Sequence, residues 1–254
     1  MAKFALQLYT VRDPAKKDLK GTLKRAREIG FEYVQWSGMP DLPGPEIRAA
    51  LDEAGLRAIA GHADVAAFEK DFAKELLFWK TIGVSDLAPG GMPNDCRDSL
   101  AAWKRGAERL DKLGAALGKA GIRYSYHNHN MEFEKFPGDD RCKIDILMAL
   151  TKPENLRWEM DVAWVHEGGY DPAVCLRKYK GRCPVIHIKD VAKDQPEGKH
   201  VFTELGRGVL DMPELLKAGK EAGVEWYIYE QDTCPGDPLD SAKISYDWLK
   251  ENIR

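Results

Sequence analysis

Histidines and carboxylates recur at alternate positions where several short apolar runs come to an end. His62 is followed at that spacing by Asp64, His127 by His129, Glu159 by Asp161, His187 by Lys189, and Glu230 by Asp232. In an extended strand, side chains two residues apart share a face, so each pair presents its two polar heads in the same direction. One such residue alone most often makes a structural hydrogen bond: Asp161 can cap a helix, and Glu230 or Asp232 can pair with a nearby Lys or Arg. The set taken together argues for chemistry. Burying several carboxylates and imidazoles at one place costs several kcal/mol unless a cation compensates them, and a shared divalent ion does so with the fewest groups.

The elements that would position these residues are short β-like runs separated by longer helical patterns. The strands are expected at Phe4–Thr10, Tyr33–Ser37, Arg57–Asp64, Ser85–Ala88, Ile122–His129, Leu156–Ala163, Val185–Val191 and Trp226–Asp232. Between them, apolar residues fall at helical spacing, as in Leu19, Leu23, Ala26 and Ile29, in Phe68, Phe72, Leu76 and Trp79, and in Leu100, Trp103, Ala107, Leu110, Leu113 and Leu117. Asp211 ahead of Met212-Pro213 reads as a helix N-cap, and Gly30, Gly55 and Gly223 read as helix ends. Eight such units predict an α/β protein, a single-domain (β/α)8 barrel over residues 1–254, rather than an open doubly wound sheet with a glycine-rich phosphate loop. In such a barrel the active site forms at the C-terminal ends of the strands, where the alternating histidines and carboxylates fall.

Gly206-Arg207-Gly208 follows a polar connection and reads as a turn rather than a phosphate cradle. The breaker-rich stretch Ala192–His200 predicts an excursion over the barrel mouth. His166 and His200 fall on loops outside the main set. Gln7, Tyr9, Gln35 and Trp36 are candidate substrate contacts, with core packing an equal reading for Trp36.

Composition removes several function classes. The net charge of −3 disfavours a basic groove for holding nucleic acid, and no apolar run approaches the ~20 residues of a membrane span. The start Met1-Ala2-Lys3-Phe4 leads directly into a strand pattern, so the expectation is a cytoplasmic protein without a cleavable signal. Five widely spaced cysteines with no Cys-x-x-Cys pair predict reduced thiols, without a disulfide framework or zinc knuckle.

A series of local motifs resembles the xylose isomerase-like TIM-barrel superfamily, the sugar phosphate isomerase/epimerase group that includes D-tagatose 3-epimerases, inosose dehydratase and endonuclease IV. The matching runs are Leu6 to Asp13, Tyr126-His127-Asn128-His129-Asn130-Met131-Glu132-Phe133, and Asp161 with Gly168-Gly169 and Asp171-Pro172. They continue with His187-Ile188-Lys189-Asp190, Leu205 to Asp211, and Tyr229-Glu230-Gln231-Asp232. The resemblance implies one divalent metal, manganese first among Mg, Co and Zn, held by a strand-five Glu, a strand-six Asp, a strand-seven His and a strand-eight Glu. Asp161, His187 and Glu230 take the last three roles. Strand five departs from the pattern with His127. The first ligand then falls to Glu132, returned by the following turn, which keeps the site rich in carboxylates, with His127 and His129 as the alternatives.

The activity so implied is a sugar isomerase or epimerase acting on a keto-sugar or cyclitol through an ene-diolate. Glu230 is the ligand and acid/base group, with Glu132, His127 or His129 as its partner and Lys189 beside the developing oxyanion. His62, Gln7, Trp36 and Arg207 are the expected substrate contacts. A lyase or dehydratase would use the same intermediate, and a sugar-binding barrel without catalysis is the reading from a different class. A nuclease like endonuclease IV needs a multinuclear zinc site rich in histidine, whereas this chain has six histidines and an acidic balance. The expected partner is a small sugar or cyclitol, with no nucleic acid and no membrane. Family members often pair, which leaves a homo-oligomer open.

Overall fold

The computed structural model describes residues 3–253. Met1 and Ala2, which the expectation of a start without a leader includes, lie outside them. Strands β1 (Lys3–Gln7), β2 (Tyr33–Trp36), β3 (Arg57–His62), β4 (Asp86–Ala88), β5 (Arg123–His127), β6 (Arg157–Asp161) and β7 (Val185–Ile188) follow one another with helices between them. A two-stranded hairpin, β8 (Asp190–Val191) and β9 (Phe202–Thr203), then precedes β10 (Trp226–Tyr229). Seven of these strands and β10 pair in parallel, and β1 bonds to both β2 and β10, so the sheet closes into an eight-stranded (β/α)8 barrel.

The helical stripes face the barrel as the spacing requires. In the helix Leu100–Lys119, capped by the Ser99 hydroxyl accepting from the Ala102 N–H, the residues Trp103, Ala107, Leu110, Leu113 and Leu117 are buried. Asp211 caps Met212–Ala222 by accepting from the Glu214 N–H, and Gly223 closes that helix at φ +86°. Inside the barrel, Ala5, Ala60, Val185, Trp226 and Ile228 form a separate apolar cluster. Further along the same inward faces stand Gln7, His62, His187 and Glu230, so the polar layer rests on an apolar floor.

Most strands end earlier than their apolar pattern. The run Phe4–Thr10 leaves the sheet after Gln7 for a 3₁₀ turn, and Ile122–His129 leaves it after His127. Asp64, expected on the face of His62, instead caps the helix Val65–Lys70 by accepting from the Ala66 N–H. The seventh run breaks at Lys189. There Asp190 turns out of the barrel and becomes the anchor of a loop: its Oδ2 accepts from the N–H groups of Gly206 (3.0 Å) and Gly208 (2.9 Å), and its Oδ1 from Val191 (2.9 Å) and Leu210 (3.2 Å). A Cβ at Gly208 would lie 2.1 Å from Asp190 Oδ1 and 2.2 Å from the Val191 carbonyl oxygen, so only glycine fits. Gly206-Arg207-Gly208 therefore wraps an internal carboxylate.

The segment Ala192–His200 is the loop of the β8–β9 hairpin. It is tied to the helix Val162–Glu167 by Gln195 donating to Glu167 (2.9 Å) and by His200 pairing with the same carboxylate. Ala163, Val191 and Phe202 form the apolar contact beneath it. No helix among the described residues is long and apolar enough to cross a membrane.

Asp190→Ala leaves four N–H donors without their acceptor, and at about 1 kcal/mol each it should cost roughly 3–4 kcal/mol of stability. Urea unfolding of the variant beside the wild type measures this, and Gly208→Ala should shift the midpoint in the same direction.

Candidate active site

The polar layer at the barrel mouth is a single connected network. Gln7 donates to Gln35 Oε1 (2.9 Å), and Gln35 donates to Glu159 Oε2 (2.9 Å). Glu159 Oε1 meets His62 Nε2 at 2.7 Å and lies 3.2 Å from His187 Nε2. The other His187 nitrogen, Nδ1, bonds Glu230 Oε2 at 2.9 Å. Lys189 Nζ then stands 2.9 Å from Asp161 Oδ2, 2.9 Å from Glu230 Oε2 and 2.7 Å from Asp232 Oδ2. Phe202 lies over this ammonium at 4.8 Å, so the hairpin roofs it.

Burial and charge set the protonation states. Burial alone would push His187 down, but the Glu159 and Glu230 carboxylates outweigh it and raise the ring to about 10. Burial likewise opposes the charged form of Lys189, yet Asp161, Glu230 and Asp232 hold it well above the usual lysine range. Burial drives His127 well below the ordinary histidine value, reinforced by the neighbouring His187 charge. His129 falls to about 4 through burial and then Lys189. Glu159, Asp161, Glu230 and Asp232 thus contribute four carboxylates against the buried charges of Lys189 and His187. Added positive charge is welcome there.

Ligand-type atoms gather in two adjoining groups. His62, His127, Glu159 and His187 bring donors within 4.8 Å of one another, and so do His127, Asp161, His187 and Glu230. Two donors in the second group lack a hydrogen-bond partner although fully buried. They are His127 Nδ1, 3.5 Å from Glu159, and Asp161 Oδ2, whose contact with Lys189 is an ion pair without hydrogen-bond geometry. Two imidazoles and two carboxylates facing one another, with one donor of each kind unpartnered, fit a divalent cation.

Several residues stand elsewhere than the sequence suggested. Glu132 joins neither group: it accepts from the Tyr126 hydroxyl (2.8 Å) and the His129 N–H (2.7 Å), closing the 3₁₀ turn Asn130–Phe133. His127 is the strand-five side chain beside Asp161, His187 and Glu230, while His129 packs its ring against Trp164. Gln7 is buried and orients Gln35, and Trp36 lies in the outer core. Arg207 sits on an exposed loop 3.5 Å from Glu204, away from these contacts. Asp161 fills both roles its sequence context offered, with Oδ1 capping Val162–Glu167 through Ala163 and Trp164 (3.0 Å each) and Oδ2 facing Lys189. Glu159, absent from the expected ligands, is the hub of the first group. Its spacing of two from Asp161 was the available signal.

The sequence pattern described as Xylose isomerase-like TIM barrel matches residues 23–252, nearly all of the chain. The protein belongs to this family. Curated relatives include the inosose dehydratases of Lacticaseibacillus casei, 28% identical over 156 residues, and of Clostridium perfringens (strain ATCC 13124), 29% identical over 165 residues. These alignments take in 55% and 59% of this chain but only 51% and 54% of the relatives, so the match spans about half of their length. Among solved structures, a sugar phosphate isomerase/epimerase from Parabacteroides distasonis superposes with a TM-score of 0.82 at 22% identity, covering 98% of this chain and 93% of that one. An L-ribulose 3-epimerase gives 0.74 at 15% identity, with 100% and 95% covered. Both share the fold. The family is one of enzymes.

Glu132→Ala should cost about 2–3 kcal/mol of stability, because it strands the Tyr126 hydroxyl and the His129 N–H in the interior. Denaturant unfolding at neutral pH checks the figure.

Proposed function

We propose that this protein is a metal-dependent lyase that removes a proton beside the carbonyl of an oxidised sugar or cyclitol and expels a β-hydroxyl as water. The observation that carries this reading is the unlike character of the two sides of the mouth. His62 and His127 come from β3 and β5, which flank β4, the strand facing β10 across the closed ring. Glu230 and Asp232 follow β10. A carboxylate opposite imidazoles suits an elimination, which needs one base and one acid, whereas inversion at a single carbon calls for two groups of matched strength. The sequence similarity to inosose dehydratases supports the same choice.

Asp161, His187 and Glu230, joined by His127, would hold one divalent ion, and their mixed oxygen and nitrogen donors suit manganese among Mg, Co and Zn. When bound, the ion supplies Lewis acidity toward a carbonyl oxygen. The chain's own groups supply the rest. All the close contacts of Glu230 fall on Oε2, so Oε1 is free to accept the substrate proton, and Lys189, which takes no part in holding the ion, keeps that carboxylate ionised. His62 is held by Glu159 at Nε2 (2.7 Å), keeps 15% of its side chain exposed, and gives its Nδ1 proton, shared with Ser37 Oγ at 3.2 Å, to the departing hydroxyl. The products are water and an unsaturated ketone. An isomerase or epimerase would share the first proton transfer and return that proton to carbon, which is the second reading offered by the solved neighbours.

Mass analysis of products from keto-sugars and inososes in D2O separates the two. Dehydration lowers the mass by one water, whereas isomerisation leaves it unchanged apart from deuterium. Glu230→Gln should abolish both solvent exchange and product. His62→Gln should keep the exchange while product formation falls about 100-fold, within the range of lost general acid catalysis. Exchange and product falling together in His62→Gln would exclude the assigned role. Metal content by elemental analysis should drop to background in Asp161→Ala and Glu230→Ala and survive in Glu132→Gln.

A further inference from the structure

The segments following β3 and β4 enclose a cavity of about 570 Å3, within the volume range of small-molecule sites. Its lining includes His62, which bonds Glu159 on its inner side, but none of Asp161, Glu230 or Lys189. The cavity therefore adjoins the reacting centre and extends away from it. Two consecutive glycines, Gly90 and Gly91, form part of its lining. An added Cβ at Gly90 would meet nothing within 4 Å, and Gly91 holds φ +137°, a conformation reserved for glycine.

The wall carries a mixed set of hydrogen-bonding groups. Asp64, an exposed residue, uses Oδ1 to cap the helix Val65–Lys70 and makes no protein hydrogen bond with Oδ2. The Asn94 amide makes no protein hydrogen bond among the described residues, and Arg97 uses only Nε, on the Met92 carbonyl at 2.6 Å. Arg109 is already saturated by Glu69 and Asp95. The four charged side chains of the lining, Asp64, Asp95, Arg97 and Arg109, sum to zero. An anion would meet the Asp64 carboxylate, and a purely apolar group would make no use of the exposed Asp64, Asn94 and Arg97 side chains. A ring bearing hydroxyls satisfies an acceptor, an amide and a donor together, with Met92 and Val65 against its C–H face.

We propose that this cavity is a subsite for a neutral glycosyl unit, so that the substrate is a glycoside whose oxidised ring reacts at the metal-type cluster while its second sugar lies between His62 and Arg97. The inference rests on the reading of the cluster as a sugar-transforming centre. The test is ligand-observed NMR titration of the full chain with glucose, cellobiose, maltose, lactose and glucose 6-phosphate. At least one disaccharide should bind about tenfold more tightly than glucose. Gly90→Phe, which adds a bulky side chain to the lining, should bring that ratio near one, and Asn94→Ala, which removes no protein hydrogen bond, should lower it several-fold. No disaccharide binding more tightly than glucose would overturn the proposal. So would a ratio unmoved in Asn94→Ala and in folded Gly90→Phe, or glucose 6-phosphate exceeding every disaccharide. Disaccharide binding without solvent exchange on any keto-sugar would sink the reaction and leave the subsite standing.

Discussion

Charge compensation at the barrel mouth is the constraint on which the rest of the structure turns. Asp161, Glu230 and Asp232 converge from β6 and from the end of β10, and a single ammonium, that of fully buried Lys189, lies within 3 Å of all three. Removing one partner from such a group leaves an uncompensated buried charge, typically worth 3–5 kcal/mol. The chain path serves this contact. β7 ends at Ile188 so that Lys189 still points inward with the parity of His187, while Asp190 leaves the sheet and holds the Gly206 to Leu210 loop by four N–H bonds. Two adjacent residues thereby fix the interior charge and the hairpin that covers it.

The second organising feature is the difference between the two sides of the ring. Imidazoles on β3 and β5 face carboxylates that follow β10, with Glu159 and His187 linking them through Gln35. The linkage makes the layer cooperative: the Gln35 oxygen takes bonds from Gln7 and His187, and its nitrogen donates to Glu159. His62, which keeps 15% of its side chain exposed, also borders the cavity, so the proposed acid and the proposed subsite meet at one position. The Xylose isomerase-like TIM barrel family supplies the scaffold, and the proposed elimination rests on this side-to-side asymmetry.

Much of this was legible in the residues. The period of two that grouped His187 with Lys189 and Glu159 with Asp161 reports strand faces directly, because a strand has no other way to orient consecutive side chains. The helical stripe from Trp103 to Leu117 and the cap at Asp211 are local physics, and the structure repeats them. Extending the same period past a strand end misled the reading at Asp64, and the expectation of a carboxylate-rich site led to Glu132. Once the sheet ladder stops, a side-chain oxygen binds the nearest free backbone N–H, as Asp64 does with Ala66 and Glu132 with His129.

The sequence by itself therefore determined the barrel, the inward faces and the residue types that could meet at its mouth, since these follow from hydrophobic periodicity and chain direction. Tertiary structure alone decided which oxygen and which nitrogen remain free in that meeting. Asp161 gives one oxygen to a helix cap and turns the other toward Lys189, Glu132 gives one to its own turn and the other to Tyr126, and His127 keeps Nδ1 unbonded. Each outcome depends on where strands distant in sequence bring their ends together, and a hydrogen bond reaches only about 3 Å.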